Sequence, residues 1–348
     1  MKVLVICRDN IGDTILTTPL IGALSEILHC QVDVLVNSYN AEVLKGNAHV
    51  AKIYTYTKTH HRDNTSSIIK IIAYRIKILF EIKKSDYDAV IIGKGVWDKR
   101  ALHWVRFSKA KRIIALGKRP HPKITDLIPL CPSPYVHFVE LFHHMLAPLG
   151  IDSRPGRLEL HAQTELVDFY RKRYAINGDK WVIALQLSSR KVTQRWPAEN
   201  FIALARRLAM TIPCRLILLW SPGATDNPRH PGDDDKARYI AEACRDLPLT
   251  PIPTLTLSEL FAAMSLCDLL VSSDGGAMHV GAALDKPTVA LFGDSDPGHW
   301  APWQVPHRIL QNVEKDVRTL SVDKVFHAVM NLRAACRDSQ GIDKAVGD

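Results

Sequence analysis

The chain has 348 residues, of which 47% are hydrophobic and 23% charged, and it carries a net charge of +9. This length suits two domains that each bury a core. No apolar run approaches the roughly 18 residues of a membrane-spanning helix, and the seven cysteines show no CxxC pair or other zinc-site spacing. The positive charge favours an anionic partner, and nucleic acid is the least favoured because no nucleic-acid-binding motif is present.

The N-terminal segment and the cysteines predict a cytoplasmic protein. The apolar core of that segment runs only from Val3 to Cys7 before Arg8 and Asp9, which is too short for a secretion signal. An odd, scattered set of cysteines is typical of the reduced thiols of a cytosolic enzyme.

The first half of the chain alternates predicted strands and helices. This alternation favours a parallel sheet with helices on its faces. Strands are predicted at residues 3–7, 32–36, 52–56, 89–92 and 112–115. Residues 66–84 form an apolar helix with basic flanks, which either packs on its sheet with solvated lysines or lies on an anionic membrane surface.

The turn after the first strand has a carboxylate, Asp13, where a dinucleotide-binding protein would have the GxGxxG fingerprint. At the carboxyl edge of the strand, Asp13 can act as a general base that takes the proton from an attacking hydroxyl. It can equally cap the helix that follows. Its position alone does not distinguish these two roles.

The second half repeats the alternation after a linker at residues 154–157. Strands are predicted at residues 182–187, 215–220, 250–253, 269–272 and 288–292. The predicted fold is therefore α/β, with two Rossmann-like doubly wound domains, residues 1–153 and 158–320, facing across a cleft. Residues 321–348 form a C-terminal helix, over 321–336, and a polar tail that we expect to fray. This helix could reach back to brace the first domain.

Two polar glycine loops follow consecutive strands in the stretch 267–303. The first contains Asp274 and leads into a helix that carries His279, and the second contains Asp296. Glycines let the backbone approach a ligand, and the N–H groups of a helix N-terminus suit a phosphate. Ordinary βα turns need glycines too, but they do not need these three polar side chains.

A third polar loop, residues 188–197, follows an earlier strand of the second half. Its three cations and three hydroxyls would form a phosphate cradle, and the alternative is a solvated basic loop. Trp220, at the end of the next strand, could line a base or ribose pocket. The chain has no GxxxxGK[ST], HExxH or GxSxG motif. Asp13 would lie on one wall of the predicted cleft and the diphosphate site on the opposite wall. This arrangement suits group transfer from a nucleotide-linked donor.

Several motifs occur in an order that resembles the ADP-heptose:lipopolysaccharide heptosyltransferase family, which comprises bacterial glycosyltransferases of GT-B fold. The resemblance runs from Met1 to about Trp303. The motifs are Arg8-x-x-x-Ile11-Gly12-Asp13 with Thr17-Thr18-Pro19, Asn47-x-x-Val50-x-Lys52, Arg195-Trp196-Pro197, Asp274-Gly275-Gly276-x-x-His279 and Phe292-Gly293-x-x-Asp296-Pro297.

The resemblance implies inverting transfer of heptose from ADP-heptose to a sugar hydroxyl of the lipopolysaccharide inner core, with Asp13 as base and no metal or other cofactor. The implied partners are an ADP-sugar donor, the lipopolysaccharide core acceptor and the cytoplasmic face of the inner membrane, without nucleic acid. The donor-binding residues that we expect are Ser188, Ser189, Arg190, Gln194, Arg195, Trp220, Asp274, Gly275, Gly276, Ala277 and His279.

The chain departs from the family pattern at two places. Gln194 stands where members of best-known activity carry a lysine, so Arg190, Lys191 or Arg195 would have to make that lysine's phosphate contact. Asp294-Ser295 replaces a more usual Pro-Thr. Two alternatives stay open: a GT-B transferase or epimerase that uses another nucleotide sugar, and a non-catalytic nucleotide-sugar-binding subunit.

Overall fold

The computed structural model describes residues 1–57, 68–130, 136–178, 180–225 and 232–345. The chain divides into two compact units, the first from Met1 to His161 and the second from Ala162 onward. Each unit contains one parallel sheet of six strands, and helices lie between most of the consecutive strands. The predicted α/β fold is confirmed.

Unit 1 is built on a core of buried aliphatic strands. Its sheet has the order β3-β2-β1-β4-β5-β6, and every pairing is parallel. The strands are β1 Lys2–Cys7, β2 Gln31–Asn37, β3 Lys52–Tyr56, β4 Ala89–Ile92, β5 Arg112–Gly117 and β6 Asp126–Pro129. The helices are α1 Ile11–Leu16, α2 Thr18–Leu28, α3 Ile68–Lys84, α4 Lys99–Val105 and α5 Phe138–His144, with 3-10 turns at Asn40–Leu44 and Ala147–Leu149.

The prediction that no apolar stretch is long enough to cross a membrane is wrong. By length and composition alone, Ile11–Leu28 qualifies. In the structure this stretch is the helix pair α1 and α2, which meet at Thr17, and 67% of it is buried inside the protein. A mostly buried stretch of this kind is typical of a core helix in a globular protein.

Unit 2 repeats the architecture with the strand order β12-β11-β10-β7-β8-β9, again parallel throughout. The strands are β7 Trp181–Gln186, β8 Cys214–Trp220, β9 Leu249–Pro253, β10 Leu269–Ser273, β11 Thr288–Leu291 and β12 His307–Leu310. The helices are α6 Thr164–Arg173, α7 Ala198–Thr211, α8 Asp234–Ala243, α9 Leu257–Ser265, α10 Gly276–Ala283, α11 Pro297–Trp300 and α12 Val322–Ala345, with 3-10 turns at Val192–Gln194 and Val317–Thr319.

The C-terminal helix is longer than predicted. Helix α12 continues past Cys336 to Ala345, so the expected fraying after Cys336 is wrong for residues 337–345. Within unit 2 its apolar side chains Val325, Val329 and Leu332 are buried in the same core as the sheet. Because these apolar side chains hold the first turns of α12 in the core, the helix can continue into C-terminal turns that are polar.

Both sheets have a topological switch point, where the chain reverses the direction in which it adds strands. In unit 1 the switch lies between β1 and β4, and in unit 2 it lies between β10 and β7. Ligands of open α/β sheets bind outside the carboxyl ends of the strands at such points. The loops that follow these four strands are therefore where a site is expected.

Candidate active site

Unit 1 gathers two carboxylates and two cations at its switch point. Arg8 and Asp9 follow β1, and Lys94 follows the neighbouring β4. Lys94 Nζ donates to Asp9 Oδ1 at 2.8 Å and to Asp98 Oδ2 at 3.2 Å. Arg8 donates to Asp98 Oδ1 at 3.4 Å. This arrangement fixes the ends of both strands by charge-assisted hydrogen bonds.

Asp13 is the third residue of α1, so the prediction that it is the N-cap residue is wrong: the N-cap is Asn10. Asp13 takes part in the capping box instead, because its Oδ2 accepts a hydrogen bond from the Asn10 N–H at 2.9 Å. Burial raises the pKa of Asp13 to about 6, against the lowering effect of that hydrogen bond. A carboxylate with this pKa is mostly ionised at neutral pH and is more basic than an exposed aspartate, as a general base requires. The capping-box contact of Asp13 is thus compatible with the general-base role, which stays a prediction.

Unit 2 brings the three predicted polar loops to one edge of its sheet. The loops follow β7, β10 and β11, which are neighbouring strands in the order β11-β10-β7. The loops after β7 and β11 touch closely, because a Cβ added to Gly293 would lie 2.5 Å from the Thr193 carbonyl oxygen. Only glycine permits this approach.

Gln194 ties the three loops together from a buried position. Its Oε1 accepts from Ser189 Oγ at 3.1 Å, and its Nε2 donates to Asp274 Oδ2 at 2.9 Å and to Ser295 Oγ at 3.2 Å. Burial raises the pKa of Asp274, although the Ser295 hydrogen bond opposes the shift. Gln194 is therefore a neutral amide that holds the three loops together by hydrogen bonds.

Arg195 is held by protein groups on two sides. Its Nε donates to the Ser189 carbonyl at 2.7 Å, and its guanidinium lies 3.3 Å from the carboxylate of Asp233, which is only 1% exposed. Lys236, which the sequence analysis did not single out, lies beside this pair and donates to the Trp196 carbonyl at 2.6 Å. Burial lowers the pKa of Lys236 to about 8, and the Arg195 charge acts in the same direction.

Trp220 is held in place by Asp234, a residue that the sequence motifs do not indicate. Its Nε1 donates to Asp234 Oδ1 at 2.8 Å, and the other oxygen of Asp234 accepts from the Gly223 N–H at 2.9 Å. Ser188 Oγ accepts from the neighbouring Ser221 N–H at 2.9 Å. The run of aspartates at the start of α8 is the sequence signal that could have found this contact, since Asp is favoured in the first turn of a helix.

The loop after β10 has the backbone that the phosphate prediction requires. Gly275 has a φ of 153°, which side chains rarely adopt, and an added Cβ there would meet no atom within 4 Å. Gly276 and Ala277 then open α10. Backbone exposed by a glycine next to a helix N-terminus is suited to an anion.

The predicted donor-binding residues range from exposed, as Arg190 is, to buried, as Gln194, Asp274 and His279 are. Arg190 is exposed at the surface of its loop. His279 is only 3% exposed, and its ring centre lies 6.1 Å from that of Trp300 in the helix after β11. His279 thus packs α10 against the loop after β11, while Arg190 is available to a ligand.

Neither a cluster of metal ligands among the described residues nor the cavity found in unit 2 locates the site. Within the described ranges, no group of three or more His, Cys, Asp or Glu side chains could hold a metal ion. A cavity of about 490 Å³ in unit 2 is lined by residues at the amino ends of β7, β8 and β9, among them Val182, Cys214 and Leu249. That edge is opposite to the polar loops, so we place the candidate site at the carboxyl edges.

Comparison with known proteins gives one consistent result. The family model Glycosyltransferase family 9 (heptosyltransferase) matches residues 75–330. Lipopolysaccharide heptosyltransferase 3 of Escherichia coli K12 is 26% identical over 84% of this chain and 82% of its own, and Lipopolysaccharide heptosyltransferase 1 of Salmonella typhimurium LT2 is 24% identical over 94% and 99%.

Solved structures agree on the fold. The crystal structure of the glycosyl transferase family 9 protein from Veillonella parvula DSM 2008 has a TM-score of 0.78 and 20% identity, covering 95% of this chain and 96% of its own. Two doubly wound units of this kind make up the GT-B fold. The match of the family model over most of the chain shows that the protein belongs to glycosyltransferase family 9, the heptosyltransferase family.

Proposed function

We propose that the protein transfers heptose, with inversion, from ADP-heptose to a sugar hydroxyl of the lipopolysaccharide inner core. The observation that carries this proposal is Asp13, whose pKa is raised to about 6 beside the switch point of unit 1. Family membership and the names of the curated relatives support the choice of donor and acceptor.

In this reaction Asp13 takes the proton from the acceptor hydroxyl as its oxygen attacks the anomeric carbon of the donor. The bond from that carbon to the diphosphate breaks through an oxocarbenium-like transition state, and ADP leaves with the bonding electrons. Anchoring of one Asp13 oxygen to the Asn10 N–H keeps the carboxylate in one orientation. Asp13 is thus already positioned for the proton transfer.

Charge on the leaving ADP must be neutralised. We assign this role to the backbone N–H groups of Gly275, Gly276 and Ala277, to Arg195, and to the exposed Arg190. Because Gln194 is neutral and already bonded to Asp274 and Ser295, its contribution is to hold these loops rather than to bind phosphate. We further propose that no metal takes part, so transfer should be unchanged after treatment with EDTA.

We also propose that α3 binds the anionic cytoplasmic surface of the inner membrane. One face of this helix exposes a stripe of apolar side chains at helical spacing, each 47% to 78% exposed: Ile69, Ile72, Ile76 and Phe80. Lys70, Lys77 and Lys84 are exposed next to the stripe. The acidic residue of this helix, Glu81, is paired with Lys52 at 2.8 Å. An apolar stripe with basic flanks complements an anionic bilayer.

Co-sedimentation with vesicles tests the membrane proposal. Binding should be stronger to phosphatidylglycerol-containing vesicles than to pure phosphatidylcholine. The double substitution Ile72→Ser and Phe80→Ser should weaken binding by about tenfold or more. Met210→Ser is the matched control because Met210 is an exposed apolar residue of unit 2. Equal binding by the double variant and the wild type would mean that α3 does not bind the membrane and that its exposed face is solvated.

Transfer assays test the reaction itself. The protein is incubated with a heptose-deficient lipopolysaccharide acceptor and either ADP-heptose or a panel of UDP- and GDP-sugars. Transfer from ADP-heptose alone is expected, and transfer only from the other sugars would favour a different GT-B transferase. Loss of turnover in Asp13→Asn with intact ADP binding would exclude a non-catalytic binding subunit.

A further inference from the structure

One buried amide at the switch point of unit 2 has a polar atom without a hydrogen-bond partner. Gln186 is the last residue of β7, and only 4% of it is exposed. Its Oε1 has no hydrogen-bond partner in the described part of the chain. Buried polar groups nearly always have a partner, and a group left without one costs stability. This glutamine therefore calls for an explanation.

Strand β7 places Gln186 on the face of the sheet opposite to the main core. Leu185 and Leu187 belong to the core cluster that also contains α7 and α12, and successive side chains of a strand alternate between its two faces. Gln186 pairs with Ser272 of β10, and the loop that contains Asp274 follows directly after this strand. The amide therefore lies at the base of the two loops that follow β7 and β10.

The side chains beside Gln186 in the sheet do not supply the missing hydrogen bond. Its partner in β10 is Ser272, whose Oγ donates to the Ser273 carbonyl at 3.0 Å. Its partner in β8 is Leu219, which is apolar. Since a hydroxyl has a single proton to donate, Oε1 requires a donor from outside the sheet.

The missing partner must donate a hydrogen bond, and this requirement excludes a phosphate group. Ionised phosphate oxygens only accept, whereas a hydroxyl both donates and accepts. The glutamine amide accepts at Oε1 and donates from Nε2, so two adjacent hydroxyls match it. The last side-chain torsion of glutamine is broad, and the amide of Gln186 can therefore turn toward a ligand between the loops at little cost.

We propose that Gln186 binds the two vicinal hydroxyls of the donor's ribose, accepting from one and donating to the other. Strand β7 lies between β10 and β8 in the sheet. We assign the diphosphate to the loop after β10, and we expect Trp220, at the end of β8, to line the base or ribose pocket. A nucleoside diphosphate that spans these loops has its ribose over the end of β7. The inference rests on the proposed function, since it names part of the donor.

Gln186→Met is the test variant, because methionine has a similar unbranched shape but no amide. We expect unchanged or higher thermal stability, because no hydrogen bond within the protein is lost. The Kd for ADP should rise by about tenfold, since two hydrogen bonds to the ligand are lost. In transfer assays the donor KM should rise to a similar extent, while kcat and the acceptor KM stay the same.

Gln194→Met is the matched control for stability. Gln194 is a buried glutamine at the same edge of the sheet, but its amide is bonded to Ser189, Asp274 and Ser295. This variant should lose thermal stability. If Gln186→Met lost as much stability and bound ADP as the wild type does, Gln186 would have only a structural role and the proposal would be wrong.

Calorimetry with ADP and 2′,3′-dideoxy-ADP identifies the group that Gln186 binds. The wild type should bind the dideoxy nucleotide about tenfold more weakly than ADP, and Gln186→Met should then cost nothing further with that ligand. An equal loss with both nucleotides would mean that Gln186 contacts the base or the diphosphate. A loss with ADP-heptose alone would mean that it contacts the transferred sugar. Either result would overturn the proposal.

The two nucleotides also separate this inference from the proposed function, because neither of them carries a sugar to transfer. Ribose-dependent binding of ADP that requires Gln186, without transfer from ADP-heptose, would support the role of Gln186 and refute the reaction. Transfer from ADP-heptose by Gln186→Met at the wild-type donor KM would support the reaction and refute the role of Gln186. A wild-type protein that binds no ADP would refute both.

Discussion

The two units share one topology, but different residues connect the loops at their switch points. Unit 1 places ionised groups there, with Lys94 between Asp9 and Asp98 and a buried carboxylate at Asp13. In unit 2 a neutral amide, Gln194, holds the loops through buried hydrogen bonds. A common scaffold thus carries two different sets of residues at its strand ends, and function depends on such residues rather than on the fold.

The difference matches what each half of the proposed transfer reaction would require. A proton acceptor needs a perturbed pKa, which burial of a carboxylate supplies in unit 1. A diphosphate site needs backbone N–H groups held in place, which close loop packing around Gly293 and the open backbone at Gly275 supply in unit 2. Substitutions in the two units should therefore change different kinetic parameters.

Asp13→Asn should have the largest effect. We expect kcat to fall about 10²–10⁴-fold because the base is lost, while ADP affinity stays unchanged. The asparagine oxygen can still accept from the Asn10 N–H, and the cost of burying a charge disappears. Stability at pH 7 should therefore rise by roughly 1–2 kcal/mol. Turnover, ADP calorimetry and urea denaturation measure the three quantities, and turnover near the wild-type rate would refute the role of Asp13.

Arg195→Ala should be the most damaging substitution for the stability of unit 2. It leaves the charge of Asp233, which is 1% exposed, without its partner, and this costs about 3 kcal/mol of unfolding free energy. ADP affinity should also fall. Arg206→Ala is the control, because its pair with Asp246 lies at the surface. An equal loss of stability in both variants would show that the Arg195 pair behaves as a surface pair.

The sequence predicts the interior of each sheet well because buried parallel strands read as continuous apolar runs. The two missed strands, β6 and β12, are edge strands whose residues are partly exposed, and β6 ends at Pro129. Such strands lack the strong apolar signal of central ones.

The contacts within the candidate site are harder to predict, because they join residues that are distant in sequence. Gln194 and Asp274, which are hydrogen-bonded to each other, are 80 positions apart in the sequence. A cavity of unit 1 is lined by Tyr56, Arg75 and Arg100, which belong to three different elements: β3, α3 and α4. Motifs identify the loops, whereas sheet order decides which loops meet. The sequence shows that residue 194 is a neutral glutamine, but it does not show that this side chain links three loops.

Gly293→Ala tests whether loop packing in unit 2 is as tight as the structure indicates. The added methyl group would lie 2.5 Å from the backbone oxygen of Thr193, which cannot move without shifting the loop. We expect a loss of about 1–3 kcal/mol in unfolding free energy and a higher donor KM. Gly156→Ala is the control, since no atom lies within 4 Å of its added Cβ. Equal stability of the two variants would show that the loop can relax.

The pH dependence should follow Asp13. Because its pKa is raised to about 6, kcat/KM should fall about tenfold per pH unit below that value as the base becomes protonated. The contribution of Asp13 to stability has the opposite sign, because protonation removes the buried charge: it is full below the unfolded pKa near 4 and is lost as the pH rises through 6. Asp13→Asn should abolish both trends, and a wild-type profile flat from pH 7 to pH 5 would contradict the assignment.

Lys191→Ala should have the smallest effect. Lys191 pairs with Asp294 at 3.1 Å and so links the loops after β7 and β11, but both side chains are about half exposed. Surface pairs of this kind contribute less than about 0.5 kcal/mol, and salt screens them. Gln194→Leu, which breaks the buried links between the same loops, should cost about 1–3 kcal/mol. A larger loss of stability for Lys191→Ala than for Gln194→Leu would mean that the exposed ion pair links these loops more strongly than the buried hydrogen bonds of Gln194 do.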